Sequence, residues 1–174
     1  MLIRRVLEHE IEALTSMLNR AYAEHAARGI QMMATHQGPE ITRDRIRACE
    51  CFVGIVGEQL VATVTLVPPH AGRSVEDAGC PTYARAGVAK IQQFAVAPEH
   101  RKRGYGSRMM DHAEQRAREL GAVEIALDTA MPAIETQAYY LRRGYEIVDR
   151  ADWRPNVNYE SVVLSRRLDG SATP

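Results

Sequence analysis

Ile91-Gln92-Gln93-Phe94-Ala95-Val96-Ala97-Pro98-Glu99-His100-Arg101-Lys102-Arg103-Gly104-Tyr105-Gly106 carries an apolar strand, a basic turn and the opening of a helix in one continuous run. Ala89 to Ala97 reads as a strand, and Pro98 closes it because proline has no N–H for a ladder. From Gly104 to Leu120, apolar residues recur at Met109, Met110, Ala113, Ala117 and Leu120, a helical spacing that Gly121 ends. The first four N–H groups of a helix lack intrahelical partners and sit at the positive end of its dipole. Glycines keep Cβ atoms away from those groups, and Arg101, Lys102 and Arg103 add full positive charges beside them. The sum predicts a cradle for a diphosphate.

Motif spacing narrows the ligand. A nucleotide-hydrolase loop needs Gly-Lys-Ser or Gly-Lys-Thr, and neither occurs. A dinucleotide-binding turn needs a third glycine where Met109 stands, so that pattern fails as well. What remains is Arg-x-x-Gly-x-Gly, with Arg101, Gly104 and Gly106 in place.

Toward the N-terminus, Cys51 to Val56 and Leu60 to Val67 flank a tight turn at Gly57-Glu58-Gln59 and predict a hairpin. Before it, Leu2 to Val6 reads as a strand and Glu8 to Ala27 as a helix ended by Gly29. A second short helix begins at Thr42 or Asp44 and runs toward Ala48. His70 to Ala86 lacks periodicity and reads as a long surface loop of the kind that often serves as a lid. Toward the C-terminus, Val123 to Thr129 is a strand, and Pro132 is placed at the first position of a helix. That helix ends at Arg142-Arg143, with Gly144 as its stop. Tyr145 to Val148 and Tyr159 to Ser165 complete the strands. The order βααββ, βα, βα, ββ predicts an α/β fold with a mixed sheet and helices on both faces. Residues 1–168 are expected to form a single domain, and 169–174 a flexible tail.

The strand, turn and helix around Arg101, Gly104 and Gly106 resemble the acetyl-CoA-binding motif of the GNAT N-acetyltransferase family. The resemblance continues through Leu127-Asp128-Thr129-Ala130 and Tyr140-Leu141-Arg142-Arg143-Gly144-Tyr145, and reaches from Leu2 to Leu168. It implies a mostly antiparallel central sheet splayed at the cofactor strand, and acetyl-CoA as cosubstrate with no metal. The backbone of Phe94, Ala95 and Val96 would pair with the pantetheine arm. An N–H near Phe94 or Ala95 would polarise the thioester carbonyl. The amides of Arg101, Lys102, Arg103, Gly104, Tyr105 and Gly106 would hold the pyrophosphate, and Tyr140 would protonate the departing thiolate.

Two positions depart from the family pattern. Gln92 stands where many members carry a glutamate base, and Ala133 where many carry an asparagine that helps hold the arm. The base is thus left to solvent or another segment. Glu99 and His100 read as solvated or helix-start groups. Glu24, His25 and Arg28 are acceptor-site candidates at the end of the first helix, set against a solvated helix face. Trp153 either covers the acceptor or plugs a loop.

Composition sets the remaining bounds. Lys+Arg and Asp+Glu number 22 each among 174 residues, so a net charge of zero gives no support for nucleic acid as partner. No run approaches the ~18 apolar residues of a membrane span, and the N-terminus lacks a signal pattern, so the expected location is cytoplasmic. Cys49, Cys51 and Cys80 have no disulfide or zinc spacing and read as small thiols. The expected activity is transfer of an acetyl group to a primary amine, on a small molecule or a peptide N-terminus. A non-catalytic acyl-CoA-binding module is the alternative. The resemblance alone suggests a homodimer.

Overall fold

The computed structural model describes residues 1–69 and 79–168. The first half of the expected 70–86 loop, residues 70–78, and the expected tail at 169–174 lie outside the described residues. The strands are β1 (Leu2–Arg5), β2 (Glu50–Val56), β3 (Gln59–Val67), β4 (Val88–Val96), β5 (Glu124–Ala130), β6 (Glu146–Asp152) and β7 (Glu160–Arg167). The helices are α1 (Ile11–Ala27), α2 (Pro39–Ala48), α3 (Tyr105–Glu119) and α4 (Ile134–Arg142). Hydrogen-bonded neighbours follow the order β1-β2-β3-β4-β5-β7-β6. The pairings of β1 with β2, β2 with β3, β5 with β7 and β6 with β7 are antiparallel and that of β4 with β5 is parallel, which bears out a mixed, mostly antiparallel sheet. No helix among the described residues is long and apolar enough to cross a membrane.

The chain clusters into two compact units, Met1–Val67 with Ile91–Gln115, and Pro68–Lys90 with Arg116–Pro174. In the first unit the β2–β3 hairpin closes through Gly57-Glu58, with Val56 opposite Gln59. Gly57 at φ +61 supplies the positive dihedral that a two-residue turn needs at its first central position. Alternation along β2 then sorts the faces. Cys51 and Val53 pack with Leu14, Met17, Leu18 and Ala21 of α1 and with Ala95 and Ala97. On the opposite face, the Phe52 ring meets His112 of α3 edge-on at 4.5 Å. A Cβ at Gly54 would come within 3.2 Å of the Met109 sulfur, so glycine there admits α3. Helices thus cover both faces of this unit, and Val61 to Leu66 are buried without a break, as expected of a strand covered on both sides.

In the second unit β5 is central. It runs parallel to the start of β4 from Val88↔Glu124 to Lys90↔Ala126, and antiparallel to β7 from Glu124↔Arg167 to Ala130↔Ser161. β6 pairs outside β7, with an irregularity between Ile147 and Asp149.

Four boundaries differ from the sequence expectation, each for a local reason. Residues 8–10 form a 3-10 turn and α1 starts at Ile11. The Glu10 carboxylate turns back to accept the Leu7 N–H at 2.9 Å and two bonds from Arg4. α2 starts at Pro39, whose missing N–H costs nothing at a first helical position. Pro132 lies before α4 rather than in it. The Ala133 N–H bonds Ala130 and the Gln137 amide bonds the Ala130 and Met131 carbonyls, closing a turn ahead of Ile134. β6 runs on to Asp152, because the irregularity at Ile147/Asp149 breaks the alternation that marks a strand in sequence.

Candidate functional site

The basic turn has the backbone its sequence demands. Pro98–His100 make one 3-10 turn, with the Arg101 N–H donating to the Pro98 carbonyl at 3.3 Å. Arg101 is extended, Lys102 is left-handed at φ +60, and Gly104 is left-handed at φ +77. Nothing lies within 4 Å of where a Gly104 Cβ would sit, so the glycine is required by its dihedral and not by crowding. The Arg108 N–H reaches back to the Gly104 carbonyl at 3.1 Å, starting the α3 ladder. N–H groups before Arg108 therefore have no acceptor within the helix. Lys102 and Arg103 are exposed. Arg101 is engaged differently: its guanidinium donates to Glu24 Oε2 at 2.5 Å and to the Ala21 carbonyl at 2.8 Å. It braces the turn against α1, and Glu24, read as either an acceptor-site candidate or a solvated helix group, is its counterion. Glu99 lies 3.7 Å from Arg20, an exposed pair, and the His100 ring stands 6.3 Å from that of Tyr105.

β4 carries an irregularity that sequence reading missed. Gln93 has φ +48 within a strand, an uncommon conformation for a residue with a Cβ. Its side-chain amide donates to Gln37 Oε1 at 2.6 Å, and Gln37 donates to Thr42 Oγ1 at 2.8 Å. Thr42 Oγ1 lies 2.8 Å from Thr15 Oγ1. A polar chain thus runs from the strand through α2 to α1, with Gln37, Thr42 and Thr15 buried. The Tyr22 hydroxyl donates to the Phe94 carbonyl at 3.0 Å, occupying one backbone acceptor of the expected cofactor strand. Ala95 is buried, Val96 is half-buried, and so is Gln92. A positive φ at glutamine leaves no trace in sequence, and Gln37 in a loop carries no periodic signal.

In the second unit Tyr140 is 6% exposed on α4, its ring 5.3 Å from that of Tyr139 and 5.8 Å from that of Tyr145. Tyr139 beside it is not the deeper of the pair. The buried face of α4 runs instead through Ala133, Gln137 and Tyr140, a helical spacing that leaves Tyr139 half-buried. Around β5, the Tyr83 hydroxyl donates to Asp128 Oδ1 at 2.8 Å and the Trp153 indole N–H to Asp128 Oδ2 at 3.1 Å. Thr82 bonds Asp149 Oδ2 through both its N–H and its hydroxyl. Trp153 is therefore neither a free cover nor a simple plug: its polar edge holds a carboxylate.

All three cysteines are free thiols, and burial pushes Cys51 and Cys80 above the usual thiol range. Among the described residues no group of three His, Cys, Asp or Glu side chains is placed to hold a metal ion.

Comparison with known proteins places this arrangement. The chain is 28% identical over 112 residues to an S-(2-succino)cysteine N-acetyltransferase of Bacillus subtilis, covering 64% of this chain and 62% of the relative. It thus spans about three fifths of that protein's length. A ribosomal-protein-alanine N-acetyltransferase structure from Brucella melitensis superposes with a TM-score of 0.69 at 15% identity, over 96% of this chain and 99% of the other. The PaiA N-acetyltransferase of Thermoplasma acidophilum, solved in complex with coenzyme A, superposes with a TM-score of 0.66 at 13% identity, over 95% and 98%. At these identities the two structures establish the fold. The sequence profile of the Acetyltransferase (GNAT) family matches residues 11–145, and the chain belongs to that family.

Proposed function

We propose that this protein is an acetyl-CoA-dependent N-acetyltransferase that moves the acetyl group onto a primary amine by direct attack within a ternary complex. The observation that carries the reading is the turn from Arg101 to Gly106, with left-handed residues at 102 and 104, inside the segment that the family profile matches. The chemistry supplied by the cosubstrate is an activated acyl carbon. The amides from Lys102 to Gly106 receive the pyrophosphate, Lys102 and Arg103 add charge, and Arg101 keeps the turn in shape through Glu24. The backbone of Phe94, Ala95 and Val96 receives the pantetheine arm, and an N–H near Phe94 or Ala95 stabilises the developing oxyanion.

In the transfer, the amine nitrogen forms a bond to the thioester carbonyl carbon and the C–S bond breaks. The Tyr140 hydroxyl gives its proton to the leaving thiolate, a role open to a phenol of ordinary pKa about 10 held within hydrogen-bond reach. Gln92 is neutral and takes no proton, so the amine attacks in its deprotonated form, the proton its nitrogen sheds on forming the amide passes to solvent, and solvent returns a proton to Tyr140. The named acceptors of the Bacillus and Brucella relatives both present an α-amino group. This supports an amine on a small amino acid derivative or at a peptide N-terminus.

The test measures free-thiol release from acetyl-CoA over a panel of α-amino acids, their amides and short peptides. Saturable turnover that collapses in Tyr140→Phe supports the enzyme. Tight acetyl-CoA binding with no turnover on any amine favours an acyl-CoA-binding module instead.

A further inference from the structure

Asp128 stands on the central strand of the second unit. Residues directly opposite in an antiparallel ladder share a face, as do alternate residues along each strand. Asp128 is opposite Val163, Ala126 opposite Ser165, and Ala130 opposite Ser161, which in turn is opposite Ala151. The carboxylate therefore shares its face with Val163 directly opposite and with the smaller Ala126, Ala130, Ala151 and Ser161, all buried. Above that face stand two aromatic rings. Those of Tyr83 and Trp153 are nearly parallel, 8° apart with centroids 6.4 Å apart, and each donates its one polar hydrogen to a different oxygen of Asp128.

Three further observations point to a ligand. An ionised carboxylate has about four acceptor positions, and these two bonds use two of them. The Ser161 hydroxyl is fully buried and has no hydrogen-bond partner among the described residues, which is uncommon for a buried polar atom. It belongs to the residue diagonal to Asp128 on the same face, so two groups that accept hydrogen bonds converge there. The cluster also suits positive charge: the Lys90 ammonium sits 4.7 Å from the Tyr83 ring centroid, where the ring quadrupole attracts cations.

We propose that Asp128, clamped by Tyr83 and Trp153, recognises the ammonium group of the acceptor before that group gives up its proton. The proposal rests on the acetyltransferase reading above and names its acceptor class: amines that are cationic in solution, as opposed to weakly basic aromatic amines that are neutral. The segment around Tyr83 is fixed for this task. Asp149 holds Thr82 next to it, and a Cβ at Gly79 would meet the Trp153 ring at 3.0 Å.

The experiment compares steady-state kinetics of the wild-type protein and Asp128→Asn at pH 7.5, with alanine amide as the cationic acceptor and 4-nitroaniline as the neutral one. Loss of one charge-assisted hydrogen bond predicts a KM for alanine amide raised about 10- to 100-fold. The KM for acetyl-CoA, and that for 4-nitroaniline, stay unchanged, and Asp128→Glu restores part of the loss. A purely structural Asp128 would lower the melting temperature and move both acceptors together, and that result overturns the proposal. So does an unchanged KM for alanine amide, or a wild type that acetylates only the neutral amine. Should Asp128→Asn not fold, Tyr83→Phe must raise the alanine amide KM, since it keeps the ring and removes the hydroxyl that orients the carboxylate; no change there overturns the proposal too. A wild type that turns over neither amine, nor any of the wider panel, sinks the acetyltransferase reading itself.

Discussion

Between Pro98 and Gly106 the groups proposed for recognition are backbone amides consecutive in sequence, presented by two left-handed residues at the mouth of α3. Around Asp128 they are side chains brought together from 45 positions upstream and 25 downstream. The first arrangement depends on dihedral angles and tolerates many side chains. The second depends on particular side chains and would accept many backbones. A ligand part common to a whole class of reactions, such as a pyrophosphate, can be met by the first kind. An acceptor that differs from one enzyme to the next calls for the second, which changes with single substitutions.

The largest effect on this contrast is expected from Tyr140→Phe, which keeps the packed ring and removes only the proton donor. kcat should fall about 100-fold, a typical loss for a general acid, while calorimetric titration with CoA gives an unchanged Kd. Equal losses in both would mean that Tyr140 supports the fold and not the proton transfer.

Gly104→Val comes next. No clash opposes the new side chain, so only the dihedral resists it, at about 1–2 kcal/mol for a left-handed residue bearing a Cβ. Affinity for CoA should drop by roughly tenfold as the turn relaxes. Retained affinity would show that the ligand is held by side chains here too, and the contrast would fail.

Arg101→Ala probes the brace. Losing the bonds to Glu24 and Ala21 should reduce the melting temperature slightly and weaken CoA by a few-fold, about 0.5–1 kcal/mol for an exposed ion pair. Lys102→Ala should weaken CoA without changing the melting temperature, and identical behaviour of the two variants would argue against a bracing role.

The smallest effect serves as a control at the far end of α1. The Arg4 guanidinium and the Leu7 N–H hold the Glu10 carboxyl at a pKa of about 2, below its ordinary 4.5. A carboxylate depressed by folding contributes fully above its unfolded pKa, and loses that contribution as pH falls through the folded value. Glu10→Gln should therefore be less stable than wild type at neutral pH, with the gap closing between about pH 4.5 and 2 in denaturant titrations. Neither the CoA affinity nor the amine KM should respond.

Much of this was legible in the chain. Element order, both hairpin strands and the strand–turn–helix at 88–119 follow from period, glycine and proline placement. The start of α2 was misplaced because Gly38-Pro39 signals a loop as readily as a helix start. Gln93 went unseen because nothing in a glutamine announces a left-handed dihedral. Asp128 shows in the sequence only as part of a family pattern, and Tyr83 carries no local signal, since the hydrogen bond that joins them spans 45 positions.

The sequence by itself determined the basic turn proposed to hold a pyrophosphate, because helix starts and glycine dihedrals are properties of a few neighbouring residues. Tertiary structure alone decided that Arg101 would serve as a brace, that a polar chain would run from Gln93 to Thr15, and that two aromatic donors would meet on Asp128. Those outcomes depend on which distant side chains share a sheet face or a helix end, and register fixes that only once the strands have paired.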